Sequence, residues 1–287
     1  MTDRLGRRAF LGALPAAIVA ACGGGMRWPG ATTGGGAPAP PLRGFGVQLY
    51  TLRSVIASDL DRTLARLVDI GYTAVEFAGL YGVKARDMRR KLDAVGLSAA
   101  SSHQSLGDVR GDWARCLDDA RELGQELVVV ASVPGDERDA ESLRRVADDF
   151  DLAGEAARGA GLRFGYHNHD WEFEPFADGT LPMELLLERT DADLVDWQMD
   201  VFWTVHGGAD PAGYLQRHGG RVTSVHVKDR TADGRMVDVG DGVIDFASLL
   251  RAAESAGLMH AFVEHDRPGD PLESVRRSLA HLRTLRM

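Results

Sequence analysis

Asp59-Leu60-Asp61-Arg62-Thr63-Leu64-Ala65-Arg66-Leu67-Val68-Asp69-Ile70-Gly71-Tyr72-Thr73-Ala74-Val75-Glu76-Phe77 is one unit of the pattern that decides the fold. From Asp59 to Asp69 the apolar residues return at helical spacing, Gly71 closes that segment, and Ala74 to Phe77 is a short β-rich run carrying Glu76. Outward from this unit the alternation repeats. Strands are predicted at 44–50, 97–102, 126–132, 163–168, 194–199, 222–227 and 261–264, which with 74–77 makes eight. Helical patterns fill the gaps at 84–94, 112–123, 141–160, 182–189, 211–217, 246–256 and 271–285, several closed by a glycine as at Gly96, Gly124, Gly161 and Gly257. Eight βα units in one run predict an α/β chain folded as a closed parallel (β/α)8 TIM barrel. An open doubly wound sheet would carry a glycine-rich phosphate turn after its first strand, and Gln48-Leu49-Tyr50-Thr51 offers none.

Ahead of the barrel, which is assigned to residues 44–287, lie two segments of other character. Residues 1–22 have the parts of an export signal: Arg7-Arg8, an apolar run from Ala9 to Val19, and small residues before Cys22. The apolar run is too short to span a bilayer. Gly6-Arg7-Arg8-Ala9-Phe10-Leu11 resembles a twin-arginine motif, and Val19-Ala20-Ala21-Cys22 a lipobox. Together they predict an exported cell-envelope or periplasmic lipoprotein, touching the membrane only through a lipid at Cys22. Residues 23–43, rich in Gly, Pro, Ala and Thr, read as a flexible tether.

The formal net charge is −9, and the first 21 residues contribute +2 (Arg4, Arg7 and Arg8 against Asp3), leaving about −11 for the remainder. So acidic a surface argues against nucleic acid as a partner. Cys22 and Cys116 are the only cysteines and sit in unrelated contexts, so no disulfide framework is expected.

In a (β/α)8 barrel the C-terminal ends of all strands face one cleft, so polar residues far apart in sequence converge there. Glu76, His103, the run Tyr166-His167-Asn168-His169-Asp170-Trp171-Glu172, Asp200, His226-Val227-Lys228-Asp229 and Glu264-His265-Asp266 all fall at such ends. A lone histidine at a strand end is more often a hydrogen-bonded structural residue than a ligand. A carboxylate, an imidazole and a carboxylate from three successive strands, however, make a mixed N/O site suited to Mn²⁺, Co²⁺, Mg²⁺, Fe²⁺ or Zn²⁺.

These strand ends resemble the xylose-isomerase-like family of sugar isomerases and epimerases. The resemblance rests on Gly46-Val47-Gln48-Leu49-Tyr50-Thr51-Leu52-Arg53, Gly71 to Glu76, Met199-Asp200, His226-Val227-Lys228-Asp229, Gly240-Asp241-Gly242-Val243-Ile244-Asp245 and Phe262-Val263-Glu264. It implies that Asp200, His226 and Glu264 bind a divalent metal. Many family epimerases supply a fourth, proton-moving Glu from strand five, where this chain has His167, with His169 or Glu172 as alternates. A metal-bound imidazole has no free lone pair for proton transfer, so another group must supply the second acid or base, the candidates being His103, His169, Glu172 and Lys228, whose pKa would be lowered if it were desolvated beside a cation. Glu264 is the first choice for a proton-transfer role and Lys228 the second. Glu76, His103, His169 and Trp203 are expected to face the substrate, Trp203 standing where some relatives carry a substrate-binding His. Trp171 and Trp197 have the same apolar face to offer, although core packing is the simpler role for each. With no basic cluster for a phosphate, a sugar or keto-sugar is the expected substrate. The resemblance leaves three functions open: an isomerase or epimerase working through an enediolate, a keto-glycoside lyase or inosose-type dehydratase, and a lipid-anchored carbohydrate-binding protein without turnover. Oligomerisation is left open as well.

Overall fold

The computed structural model describes residues 44–286; the signal and tether segments, Cys22 included, lie outside them. Eight strands close a barrel: β1 (Phe45–Gln48), β2 (Ala74–Phe77), β3 (Ser98–Gln104), β4 (Leu127–Val130), β5 (Arg163–His167), β6 (Val195–Asp200), β7 (Val222–Val227) and β8 (His260–Val263). Every pairing is parallel, and β1 closes the ring on β8 through Phe45↔Ala261, Gly46↔Phe262 and Val47↔Val263. All eight strands therefore present their C-terminal ends on one side. Each overlaps a strand predicted from sequence.

The unit that opened the reading shows why these residues take this form. Asp59 caps helix Leu60–Ile70 by accepting from the Arg62 N–H at 3.0 Å, while Thr63, Leu64 and Leu67 form its buried stripe. Gly71 ends it at φ 110°, in the left-handed region where a β-carbon is strained, and the chain then enters β2. The register of β1 needs a small residue too. A β-carbon on Gly46 would stand 2.6 Å from the Phe262 ring.

The core divides by position: one cluster fills the space between helices and barrel around β1, β2, β7 and β8, another around β4, β5 and helix Ala140–Gly159. Short helices at Arg53–Ile56, Leu106–Gly111 and Val201–His206, and a small antiparallel ribbon pairing Asp229–Arg230 with Met236–Val237, were not anticipated. They lie just after β1, β3, β6 and β7, the first across a 3-10 turn at Leu49–Leu52, and each is too short to display a helical or strand period of its own. Helix Pro271–Leu282 also stops three residues before the predicted 285. Among the described residues, no helix is long and apolar enough to cross a membrane.

Candidate metal centre and substrate cavity

A cavity of about 940 Å³ opens at the C-terminal mouth, with His103, His167, His169, Trp203, Lys228 and Glu264 among its lining residues. At its floor, His167, Asp200, His226 and Glu264 each offer one nitrogen or oxygen atom, all within 4.8 Å of one another. All four side chains are buried. This mixed N/O donor set fits a divalent cation, and it is the set expected from sequence with His167 as the fourth member. His169 and Glu172, the alternates, stand outside it. His169 lines the cavity, and Glu172 is buried beside it, accepting from the Tyr166 hydroxyl and, at 2.9 Å, from the His169 N–H.

Local structure aims each donor. Asp200 ends β6 and caps the following helix, its Oδ1 accepting from the Trp203 N–H at 2.9 Å, which leaves Oδ2 toward the site. Its backbone is tied down by Asn168, whose Oδ1 accepts from Asp200 N at 2.9 Å and from Trp197 Nε1 at 2.8 Å. Trp197 is thus a core residue with a structural hydrogen bond, not a sugar platform. Trp171, also away from the cavity lining, carries the Arg138 guanidinium 4.7 Å from its ring centre. Glu264 follows β8, and its Oε2 lies 2.6 Å from His226 Nδ1.

Lys228 is the one ammonium group on this floor among the described residues and is enclosed by carboxylates: Asp200 Oδ2 at 2.9 Å, Glu264 Oε2 at 2.8 Å and Asp266 Oδ1 at 2.9 Å. Burial works against its charge, but the three carboxylates outweigh burial and hold its pKa well above the ordinary value. The expectation of a lowered Lys228 pKa is therefore corrected: the side chain is a fixed cation that holds its proton, not a neutral base. Burial also disfavours the Glu264 anion, yet Lys228 and His226 overcome it and hold that carboxyl low. His226, buried but flanked by Glu76 and Glu264, is raised to about 10. Asp200 is raised by burial to about 6, against the opposing pull of Lys228 and His226.

Glu76 lies beneath the cavity, not on its wall. It is fully buried and accepts from Gln48, Ser101, Gln198 and His226, so the expectation that it touches substrate gives way to a place under the imidazoles. His103, His169 and Trp203 do face the cavity. Burial, then the Lys228 charge, lowers His169 to about 4, so its imidazole is neutral at pH 7, and its Nδ1 has no hydrogen-bond partner among the described residues.

Several residues escaped the sequence reading. Gln48, Ser101, Gln198 and Ser224 form the polar floor with Glu76. Gln198 and Asp200, like Ser224 and His226, are two apart on their strands and so share one face. That period-2 run of polar residues in otherwise apolar strands was the available signal. Asp229 is the other: its carboxylate accepts from the backbone N–H groups of Arg230, Gly240, Gly242 and Ile244 and so pins the Gly240–Ile244 loop. A β-carbon on Gly242 would stand 2.1 Å from that carboxylate, which is why glycine is required there.

Comparison with known proteins agrees with this geometry. Residues 64–285 match the sequence model of the family described as xylose isomerase-like TIM barrel. The chain belongs to that family. Among its relatives, an inosose dehydratase of Geobacillus kaustophilus (strain HTA426) is 26% identical over 235 residues, covering 66% of this chain and 74% of the relative. A solved sugar phosphate isomerase/epimerase from Parabacteroides distasonis ATCC 8503 superposes with a TM-score of 0.72 at 29% identity, over 88% of this chain and 96% of that one. The IolI protein, solved with a binding zinc atom, shares the fold at a TM-score of 0.66 and 15% identity, over 84% of this chain and 97% of that one. The site has the donors for a divalent metal.

Proposed function

We propose that this chain is a divalent-metal-dependent sugar isomerase or epimerase that removes the proton α to a carbonyl and proceeds through an enediolate. The observation that carries the reading is the convergence of His167, Asp200, His226 and Glu264 on the floor of the cavity. A divalent cation held by these four would polarise a carbonyl and the adjacent hydroxyl of the sugar. The remaining work belongs to the chain's own groups. Glu264, kept anionic by Lys228 and His226 and lining the cavity, is the proton acceptor. Lys228, kept charged by its carboxylates, holds a positive charge beside the negative charge that develops. His169, neutral and lining the cavity, supplies the second proton-transfer group that an epimerase requires. Trp203 gives the sugar ring an apolar face.

A second reading, dehydration of a keto-sugar, is favoured by the inosose dehydratase relatives. Elimination needs one base and one acid for the leaving hydroxyl, so it does without a second base on the opposite face of the sugar.

The test is to incubate chelator-treated protein, with and without added Mn²⁺ or Co²⁺, with candidate keto-sugars in D₂O and follow the α-proton by NMR. Metal-dependent exchange with all hydroxyls retained supports isomerisation or epimerisation, whereas exchange with loss of water supports the dehydratase. Binding without exchange would sink both and leave a carbohydrate-binding protein. The proposal extends to export and a lipid anchor at Cys22, which mass spectrometry of the membrane fraction checks, with Cys22→Ala as control.

A further inference from the structure

The donors under the cavity form a one-way hydrogen-bond belt. Gln198 Nε2 donates to Glu76 Oε2 at 2.7 Å and to Ser224 Oγ at 3.1 Å, so the amide has only one way round. Its Oε1 must then accept, and it faces His103 Nε2 at 2.7 Å and His167 Nδ1 at 3.1 Å. Both nitrogens are therefore protonated, and His167 is left with Nε2 toward the site, 3.6 Å from Asp200 Oδ2. Glu76 acts on the third ring directly. Its Oε1 accepts from His226 Nε2 at 2.5 Å, which leaves Nδ1 on the side of Glu264 and Asp200, at 2.6 and 4.0 Å.

We propose that Glu76 is a positioning residue: one buried carboxylate that dictates which nitrogen of His226 and, through Gln198, of His103 and His167 is presented to a cation. The inference rests on the metal-site reading above. Its strength lies in the count of donors. Glu76 accepts from four of them, Gln48 Nε2 and His226 Nε2 on one oxygen, Ser101 Oγ and Gln198 Nε2 on the other. A carboxamide of the same shape has one acceptor oxygen and two donor hydrogens, so it cannot serve all four. If its NH₂ turns toward Gln198, that amide must flip, present its own NH₂ to the two histidines, and drive the proton of His167 onto Nε2. If it turns the other way, His226 loses its acceptor. In both cases an imidazole offers the site an N–H where a lone pair is needed. Groups that orient metal-bound histidines in this way typically govern metal affinity by about 10–100-fold.

The experiment is long-range ¹H–¹⁵N correlation NMR on histidine-labelled full-length protein, paired with calorimetric titration of Zn²⁺. In the wild type, His167 should carry its proton on Nδ1 and His226 should keep one on Nε2 before and after Zn²⁺. Glu76→Gln should change the protonation pattern of His167 or His226 and weaken Zn²⁺ binding about 10–100-fold, and Glu76→Asp should recover part of both. Gln198→Leu should alter His167 and leave His226 as it was. Unchanged spectra and affinity in Glu76→Gln would overturn the inference. If that variant does not fold, an unchanged His167 in Gln198→Leu overturns it instead. A wild type that binds no Zn²⁺ defeats the metal reading alone, since the protonation patterns are still read in the metal-free protein.

Discussion

Lys228→Met tests the electrostatics of the floor most directly. The ammonium is buried, lies 2.8–2.9 Å from oxygens of Asp200, Glu264 and Asp266, and shares two of those oxygens with the proposed metal set. Methionine fills similar volume without charge, so the variant leaves Asp200 buried without its nearest counter-charge and Glu264 with His226 alone. Breaking a buried pair by removing one partner costs about 3–5 kcal/mol. For a barrel of this size each kcal/mol moves Tm by roughly 2–4 °C, so the chelator-treated variant should melt roughly 6–20 °C below the wild type. The deficit should shrink as pH falls, starting above pH 6, because Asp200, held at about 6 against the downward pull of Lys228, loses that pull in the variant and takes up a proton more readily. A divalent cation supplies the missing positive charge and no longer competes with an ammonium. Added Mn²⁺ should therefore raise Tm more in Lys228→Met than in the wild type. Differential scanning calorimetry, with chelator and with Mn²⁺, reads both effects. A metal-free variant melting within about 2 °C of the wild type would refute the reasoning.

Glu172 is raised by burial from 4.5 to about 7, so the folded protein holds this proton more tightly than the unfolded chain. Stability from this group is full below about pH 4.5 and is lost as pH rises through about 7; urea unfolding at pH 5 and 8 should show Glu172→Gln flattening a loss on the order of 3 kcal/mol. Asp229→Ala strips the acceptor from four backbone N–H groups and should abolish hydrogen-exchange protection across Gly240–Ile244, while Zn²⁺ affinity by calorimetry changes less than about threefold. Trp203→Ala should raise KM for a keto-sugar substrate roughly 2–10-fold with a smaller change in kcat, as expected for loss of an apolar face about 0.5–1.5 kcal/mol in strength. A fall in kcat alone would show that Trp203 acts otherwise.

The barrel was legible because its signals are local. Helix Leu60–Ile70 announces itself by Asp59, its apolar stripe and Gly71, and the same devices recur along the chain, as at Asp245 and Gly257 around helix Phe246–Ala256. Asp200, His226 and Glu264 were legible too, since a parallel barrel sends every strand end to one mouth and the polar residue at each end is visible in sequence. The short helix Val201–His206 was not, because six residues carry no period, yet it turns Asp200 Oδ1 away and leaves Oδ2 for the site.

What the sequence by itself determined is the run of eight βα units and the residue types at their ends, because helix caps, apolar spacing and strand alternation are set by neighbours along the chain. What only the tertiary structure decided is how those ends divide the work. Glu76 reads as one more polar strand end, but closure of the ring places it within hydrogen-bond reach of Gln48, Ser101, Gln198 and His226, from four other strands. Lys228 reads as a lysine that burial would neutralise, until the fold brings Asp200, Glu264 and Asp266 to within 3 Å of its nitrogen. Protonation and hydrogen-bond direction depend on partners converging through space, and no spacing along the chain encodes them.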